Sequence, residues 1–569
     1  MFNEIVAKYD RLIERFHQRP LFLIFACLLL ASVALFIRTI ARDDVRKQFW
    51  AAVAILAVCF LFAVGGDTGN HVLRIVALSE QLKQVTPSLM LTNPSTGNAF
   101  PVFVYYSFVP YIPGVILHLV GIPAFWALQA TMLGAFLLLV FGLRSMIADL
   151  NQSWPRIVEP YVYQAAILFI TSNYVCGLWV YRAALGEAWA YAFMPWAISY
   201  MLRPRSLGML TVTLCLQICI HPLVFAHSFL CEVLVAVGLR SDKLAPIVTL
   251  TRSGLAFSFA LSLSILFWLP QMLSLHSVLG LSGIPTAFPD TFLTLGELFD
   301  PRFPVNLGVF LPAAVMFLVV SCHRLPKGFW LLSSCFALLL AMQTIYLREI
   351  TVRVPFLEQS QFVWRLMFPT GFVGLGAIIA ANLDPSSKIS RIFAAFAFIS
   401  VLLFSVTQFV RSPSNLAYIA DAKYTENENL ATELQTSNLW GINLFAPNYG
   451  SLPDGCIHLA GEVQFATYNE LRTGAESRRE FIAVENAPVS FVRYIAEDRP
   501  AAISSCDKSL LLGPLKSGAH VHVDESELRF LLIGRILTLL ILAALTMTFQ
   551  SRKLLAYFGS VSSKIDRNP

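Results

Sequence analysis

The sequence predicts an all-α polytopic membrane protein with about 13–14 hydrophobic helices and a small β-rich extracytoplasmic domain inserted before the last helix. Three observations carry this. Apolar residues fill 56% of the 569 positions, and Asp, Glu, Lys and Arg only 13%, half the roughly 25% charge of an ordinary soluble protein. Mean hydropathy is +0.66 and phenylalanine alone numbers 45, more apolar surface than one water-facing core can hide. Runs of about twenty apolar residues, the length that crosses a bilayer core, then recur along the chain. Disorder, collagen, coiled coil and a small disulfide scaffold are excluded by the same composition.

Runs begin near Leu21, Phe49, Val102, Ala124, Tyr161, Trp189, Leu207, Leu223, Leu255, Leu307, Phe329, Phe362, Ile392 and Leu528. The first follows a charged amphipathic stretch (Lys8, Arg11, Arg15, Arg19) and lacks a small-residue cleavage site, so it reads as a retained anchor. The run from Val102 carries Pro110 and Pro113 among Phe103, Tyr105, Tyr106, Phe108 and Tyr111. Proline breaks helical hydrogen bonds and tyrosine prefers the interface, so this run is expected to be re-entrant or interfacial. The expected organisation is a multi-spanning module over 1–410 with a first external loop at 65–101, a soluble extracytoplasmic domain over 411–527, and a final helix with a basic tail over 528–569. Within 411–527, residues 480–492 alternate with β-branched side chains and Pro453-Asp454-Gly455 signals a turn.

A net charge of +6 is modest and gives no sign of nucleic-acid binding. Basic residues of membrane proteins collect in short cytoplasmic loops. Five links qualify: Arg203 and Arg205; Arg240, Lys243 and Arg252; His323, Arg324 and Lys327; Lys388 and Arg391; Arg552 and Lys553. Placing all five inside leaves 411–527 outside, together with the links around Arg182–Glu187, around His221, after Trp268 and around Arg348–Arg365. Of the ten cysteines, eight lie in or beside apolar runs, and no CxxC pair occurs. Cys456 and Cys506 share the long polar segment and are the disulfide candidates, a bridge worth on the order of 4 kcal/mol by loop entropy.

Ionisable groups at membrane depth are costly, so clusters of them on one face are functional candidates. Gly65-Gly66 ends one helix, and Asp67 is placed to cap the next, whose His71 and Arg74 lie four and seven residues on along one face. The bland alternative is an N-cap aspartate on a solvated helix. Arg182 and Glu187 lie between two apolar helices; five positions apart on an ideal helix they face different ways, so a pair between them needs a turn or other partners. His221-Pro222 interrupts a long apolar stretch, and the proline is expected to break the helix there. Gln361, Trp364 and Arg365 open the next helix, where the arginine could snorkel to headgroups or hold a phosphate and the tryptophan could be a belt aromatic. No P-loop, GxGxxG, HExxH or GxSxG motif occurs in its proper context.

In order along the chain, these residues resemble the GT-C superfamily of membrane glycosyltransferases. They are most similar to a YfhO-like branch of large multi-spanning proteins that includes the 6-pyruvoyl-tetrahydropterin-synthase-related bacterial membrane proteins. Gly66-Asp67 with His71 and Arg74 resembles that branch's G-D-x-x-x-H-x-x-R start, and Asn98 to Tyr106 its aromatic stretch. Arg182 to Glu187 resembles R-G-x-x-x-E with Ala183 for the glycine. His221-Pro222 matches H-P, Trp268-Leu269-Pro270 matches W-L-P, and Gln361 to Arg365 resembles Q-F-P-W-R with Val363 for the proline. The acidic residue expected after W-L-P is absent, leaving Gln271 and His276.

The resemblance implies a multi-pass enzyme of the bacterial inner (plasma) membrane whose active site faces the periplasm or exterior. It would move a sugar from a polyprenyl-phosphate-linked donor to a hydroxyl of a glycan, lipid or protein acceptor, with inversion. Asp67 would be the general base, and Arg74, Arg182 or Arg365 would stabilise the departing phosphate. His71, His221 or Glu187 would orient substrate or hold an optional divalent metal ion (Mg or Mn), with Gln361 and Trp364 completing the substrate-binding set. The alternative is a multi-spanning transporter or flippase of a lipid-linked or glycan substrate, for which polar groups near the bilayer midplane and internal repeats would be expected. A non-catalytic assembly or sensor protein is the third possibility.

Overall fold

The computed structural model describes residues 20–40, 44–83, 106–153, 159–203, 206–240, 245–278, 291–300, 303–320, 327–354, 362–381, 388–420 and 514–565, with short pieces between 89 and 103 and the strands between 463 and 512. Among these, six helices are long and apolar enough to cross a membrane: Phe22–Ile40, Ala124–Leu150, Pro246–Ile265, Val363–Ala381, Arg391–Arg411 and Leu528–Gln550. Shorter apolar helices accompany them at Val109–Leu119, Tyr161–Ile170, Leu207–Ile220, Pro222–Gly238 and Lys327–Met342. The chain is a helical membrane protein, and its apolar runs become helices of two lengths.

Proline explains several of the short ones. The run through Trp189 divides into Leu185–Ala192 and Met194–Leu202, the second opening with Pro195 in its first turn. The run from Val102 yields a 3₁₀ turn, Val109–Tyr111, and a helix, Ile112–Leu119, each with proline in its first turn. That segment rises about 17 Å, roughly half of a 30 Å hydrocarbon core. The helix Leu207–Ile220 stops at His221, whose backbone is extended, and Pro222 begins the next helix at its first position, where the missing N–H has no intrahelical partner to lose.

The described chain forms two compact units. The first comprises Met1–Thr68, Leu128–Leu261 and Thr286–Ala422. Its centre is the helix Met367–Ala381, every residue of which is buried, as expected of a helix that is apolar all round. Small residues admit its neighbours: a Cβ on Gly374 would lie 2.7 Å from the Phe336 ring, and one on Gly371 would lie 2.9 Å from Leu307. Phe169 meets Phe368 and Phe372 edge-on at 5.3 and 5.2 Å. The Tyr161 hydroxyl donates to the Ile378 carbonyl at 3.1 Å.

The second unit comprises Gly69–Ala127, Ser262–Pro285 and Lys423–Pro569. It holds a short antiparallel pair, β1 (Leu91–Thr92) with β2 (Ala99–Phe100). Eight further strands follow: β3 (Val463–Ala466), β4 (Ala475–Glu476), β5 (Phe481–Glu485), β6 (Arg493–Ala496), β7 (Arg499–Pro500), β8 (Ile503–Cys506), β9 (Ser509–Leu512) and β10 (His520–Asp524). They make two four-stranded sheets in the orders β3-β5-β9-β8 and β4-β10-β6-β7. Among the described pairings of these strands, β3 and β5 run parallel and the others antiparallel. The last helix, Ser526–Ile565, follows directly. Its Arg535 is fully buried, donating to the carbonyls of Phe103 and Phe267 and lying 4.7 Å over the Phe267 ring.

The helix Lys388–Ala420 continues past Arg411, whose guanidinium lies over the Tyr181 ring at 4.2 Å. The compact unit carrying the sheets also draws on 69–127 and 262–285.

Candidate active site

The site begins with a backbone seam. The N–H of Gly66 donates to the carbonyl of Tyr181, and the N–H of Asp67 to that of Arg182, both at 2.9 Å. Gly65 permits this approach: a Cβ there would lie 2.6 Å from the Ala183 nitrogen and 2.7 Å from the Arg182 carbonyl carbon. The Thr68 hydroxyl accepts the Gly65 N–H at 2.9 Å, tightening the turn, and the next helix starts at Thr68. Asp67 is half-buried, within electrostatic reach of the Arg182 guanidinium.

On the other side of the seam the chain runs through a wide π-turn, Gly177–Arg182, a geometry common at functional sites. Ala183 follows in the left-handed region, with φ of 54°. This reversal solves the spacing problem between Arg182 and Glu187. The two nitrogens of the guanidinium fork donate to the two carboxylate oxygens of Glu187, both at 2.8 Å. Arg365, distant in sequence, donates its Nε–H to the same carboxylate at 2.9 Å. Two guanidiniums therefore share one buried carboxylate, and the triad carries an excess of one positive charge.

Aromatic side chains hold the arginines in place. Arg182 lies 4.5 Å over the Trp364 ring, which stacks on Phe362 at 4.6 Å. Tyr191, four residues after Glu187, donates its hydroxyl to the Arg365 carbonyl at 2.8 Å and stacks on Phe368 at 4.3 Å. His221 caps the helix Pro222–Gly238, its Nδ1 accepting the Val224 N–H at 3.3 Å. Its ring edge lies 3.3 Å from where a Cβ on Gly186 would be, and it interacts electrostatically with Glu187. Asp67, Arg182, Glu187, His221, Trp364 and Arg365 thus belong to one group of side chains in the first unit.

His71 and Arg74 belong to the second unit, where both meet Tyr111. The His71 ring nitrogen lies 2.6 Å from the Tyr111 hydroxyl, and Arg74 donates to that oxygen at 2.9 Å. Arg74 also lies 4.6 Å over Tyr106. Gln361 and Cys456 fall outside the described residues; Cys506 ends β8, and its side chain is likewise outside them. Sequence reasoning missed Tyr191, Phe362 and the role of Tyr111. The available signals were a tyrosine one helical turn after Glu187 and an aromatic residue beside Trp364.

Among the described residues no group of three or more His, Cys, Asp or Glu is arranged to hold a metal ion. Glu187 is engaged by two guanidiniums and the His221 Nδ1 by a backbone N–H.

No known protein family matches the chain, and no curated protein matches it. The resemblance to the YfhO-like branch has no support from these comparisons. Among solved structures, the apo oligosaccharyltransferase of Archaeoglobus fulgidus is similar at 10% identity with a TM-score of 0.35, over 65% of this chain and 56% of that one. The chain thus matches little more than half the length of that structure.

Proposed function

We propose that the protein is a membrane glycosyltransferase that moves a sugar from a polyprenyl-phosphate-linked donor to an acceptor hydroxyl at the extracytoplasmic surface. The observation that carries this reading is the backbone seam at Gly66 and Asp67, which sets one half-buried carboxylate within electrostatic reach of Arg182, whose guanidinium shares Glu187 with that of Arg365. A carboxylate and preorganised cations are what a single displacement at an anomeric carbon needs. Asp67 takes the proton of the acceptor hydroxyl as its oxygen attacks the anomeric carbon. The bond from that carbon to the phosphate oxygen breaks, and its electron pair leaves on the phosphate. Arg182 and Arg365 stabilise this charge, held in position by Glu187 so that little reorganisation is needed. Attack opposite the leaving group inverts the centre.

In this reading Trp364, whose ring supports Arg182, contributes to substrate binding together with His221 and Gln361. No step passes through a metal ion. The test is Asp67→Asn in proteoliposomes supplied with a polyprenyl-phosphate sugar and a hydroxyl acceptor. Transfer should fall about 10²–10⁴-fold with the thermal unfolding midpoint unchanged. Wild-type turnover in this variant would remove Asp67 as the base. Movement of the lipid-linked sugar across the bilayer by wild-type protein, with no glycosidic bond formed, would instead establish a flippase.

A further inference from the structure

A second charged cluster in the first unit, outside the candidate active site, joins the ends of four helices. Asp149, near the end of the helix Ala124–Ser153, is buried and accepts from Arg203 Nε at 2.7 Å and from the Ser199 hydroxyl. Arg203 also donates to the Ser145 hydroxyl at 2.9 Å. Arg240, just beyond the helix Pro222–Gly238, donates to the Leu202 carbonyl at 2.9 Å and to Thr249 at 3.0 Å. Arg252 donates one nitrogen to the Arg203 carbonyl at 2.7 Å. Its other terminal nitrogen is buried with no hydrogen-bond partner among the described residues.

Three guanidiniums are thus gathered around helix ends, and Asp149 already serves Arg203. Arg205 and Lys243 in the same links add positive charge, and Asp242 one negative charge. An unpaired guanidinium nitrogen out of water costs energy unless an anion meets it.

The helix carrying Arg252 supplies the other half of the argument. Val248, Leu255 and Phe259 fall four residues before, three after and seven after Arg252, and so lie on its face. They are 47%, 48% and 56% exposed, large apolar side chains on a helix long and apolar enough to cross a membrane. A cationic group in the second turn of a membrane-length helix, with an apolar stripe continuing one and two turns further along it, matches a molecule with an anionic head and hydrocarbon chains.

We propose that Arg240 and Arg252 form a binding site for the phosphate headgroup of a net-anionic phospholipid whose acyl chain lies along Leu255 and Phe259. Arg203, fixed by Asp149, acts as a positioning residue that offers its carbonyl to Arg252. Basic pockets between membrane helices take anionic headgroups for this reason.

The test titrates full-length protein in neutral detergent with dioleoyl phosphatidylglycerol, dioleoyl phosphatidylcholine or glycerol phosphate, and reads bound lipid by native mass spectrometry. Phosphatidylglycerol should bind in preference to phosphatidylcholine. Its affinity should fall about fivefold in Arg252→Gln and in Arg240→Gln, and be largely kept in Arg252→Lys. Equal binding of the two lipids by wild-type protein would overturn the proposal, as would unchanged affinity in both glutamine variants. Displacement of the lipid by equimolar glycerol phosphate would assign the site to a soluble anion and overturn it as well.

Discussion

Glu187 carries the most weight of any single side chain in the candidate site, because its one carboxylate is shared by two arginines that would otherwise face each other without a counter-charge between them. Removing one member of such an arrangement costs about 3–5 kcal/mol. Glu187→Gln should lower the thermal unfolding midpoint sharply, and sugar transfer with it, whereas Asp67→Asn should affect transfer alone. Differential scanning fluorimetry on both variants in the same detergent separates the two roles. Gly65 is the second test at this scale. A methyl there meets backbone atoms of Arg182 and Ala183, which cannot rotate away, so Gly65→Ala should destabilise by about 1–3 kcal/mol. Adding Ala183→Gly removes the nearby Cβ but leaves the closest contact, the Ala183 nitrogen, in place. The Gly65→Ala penalty should therefore persist when the double variant is compared with Ala183→Gly alone.

At the scale of elements, the site is made by places where helices fail to continue. The π-turn Gly177–Arg182 and the left-handed Ala183 reverse the chain so that residues five apart become partners. The His221-Pro222 step ends one helix and starts another beside Gly186. His221 is legible in the sequence because proline cannot continue a helix and the residue before it is pushed to extended backbone. Its capping role predicts a specific pattern of stability. Asparagine also offers a side-chain acceptor at an N-cap, so His221→Asn should keep the unfolding midpoint close to wild type. His221→Ala should lose about 1 kcal/mol, measured by chemical or thermal unfolding. By contrast, the Arg182–Glu187 pair was not legible as formed, because alanine disfavours the left-handed conformation that makes it possible.

For the whole molecule, the arginine-rich links and the polar segment before the last helix predict an orientation that can be measured. A fluorescent protein that folds only in the cytoplasm, fused after Pro569, should be bright. Alkaline phosphatase, which needs an oxidising exterior, should be active when inserted in the 421–462 stretch and inactive when inserted beside Lys327. The opposite pattern would reverse the topology and move the Arg182–Glu187 link to the cytoplasmic side.

The amino-acid sequence by itself determined the environment and the inventory. Composition requires a membrane, run lengths and prolines locate the helices and their breaks, and the costly charges at Asp67, Arg182, Glu187 and Arg365 stand out against an apolar background. These are local properties, set by the free energy of transferring each residue or segment from water to lipid. Tertiary structure alone decided which of those charges meet. Arg365 joins a carboxylate far away in sequence, His71 and Arg74 turn to Tyr111, and Arg252 lands beside Arg240 and the Arg203 carbonyl. Such pairings follow from how buried helices pack against one another, through small residues such as Gly371 and Gly374, and packing depends on the shapes of many side chains at once.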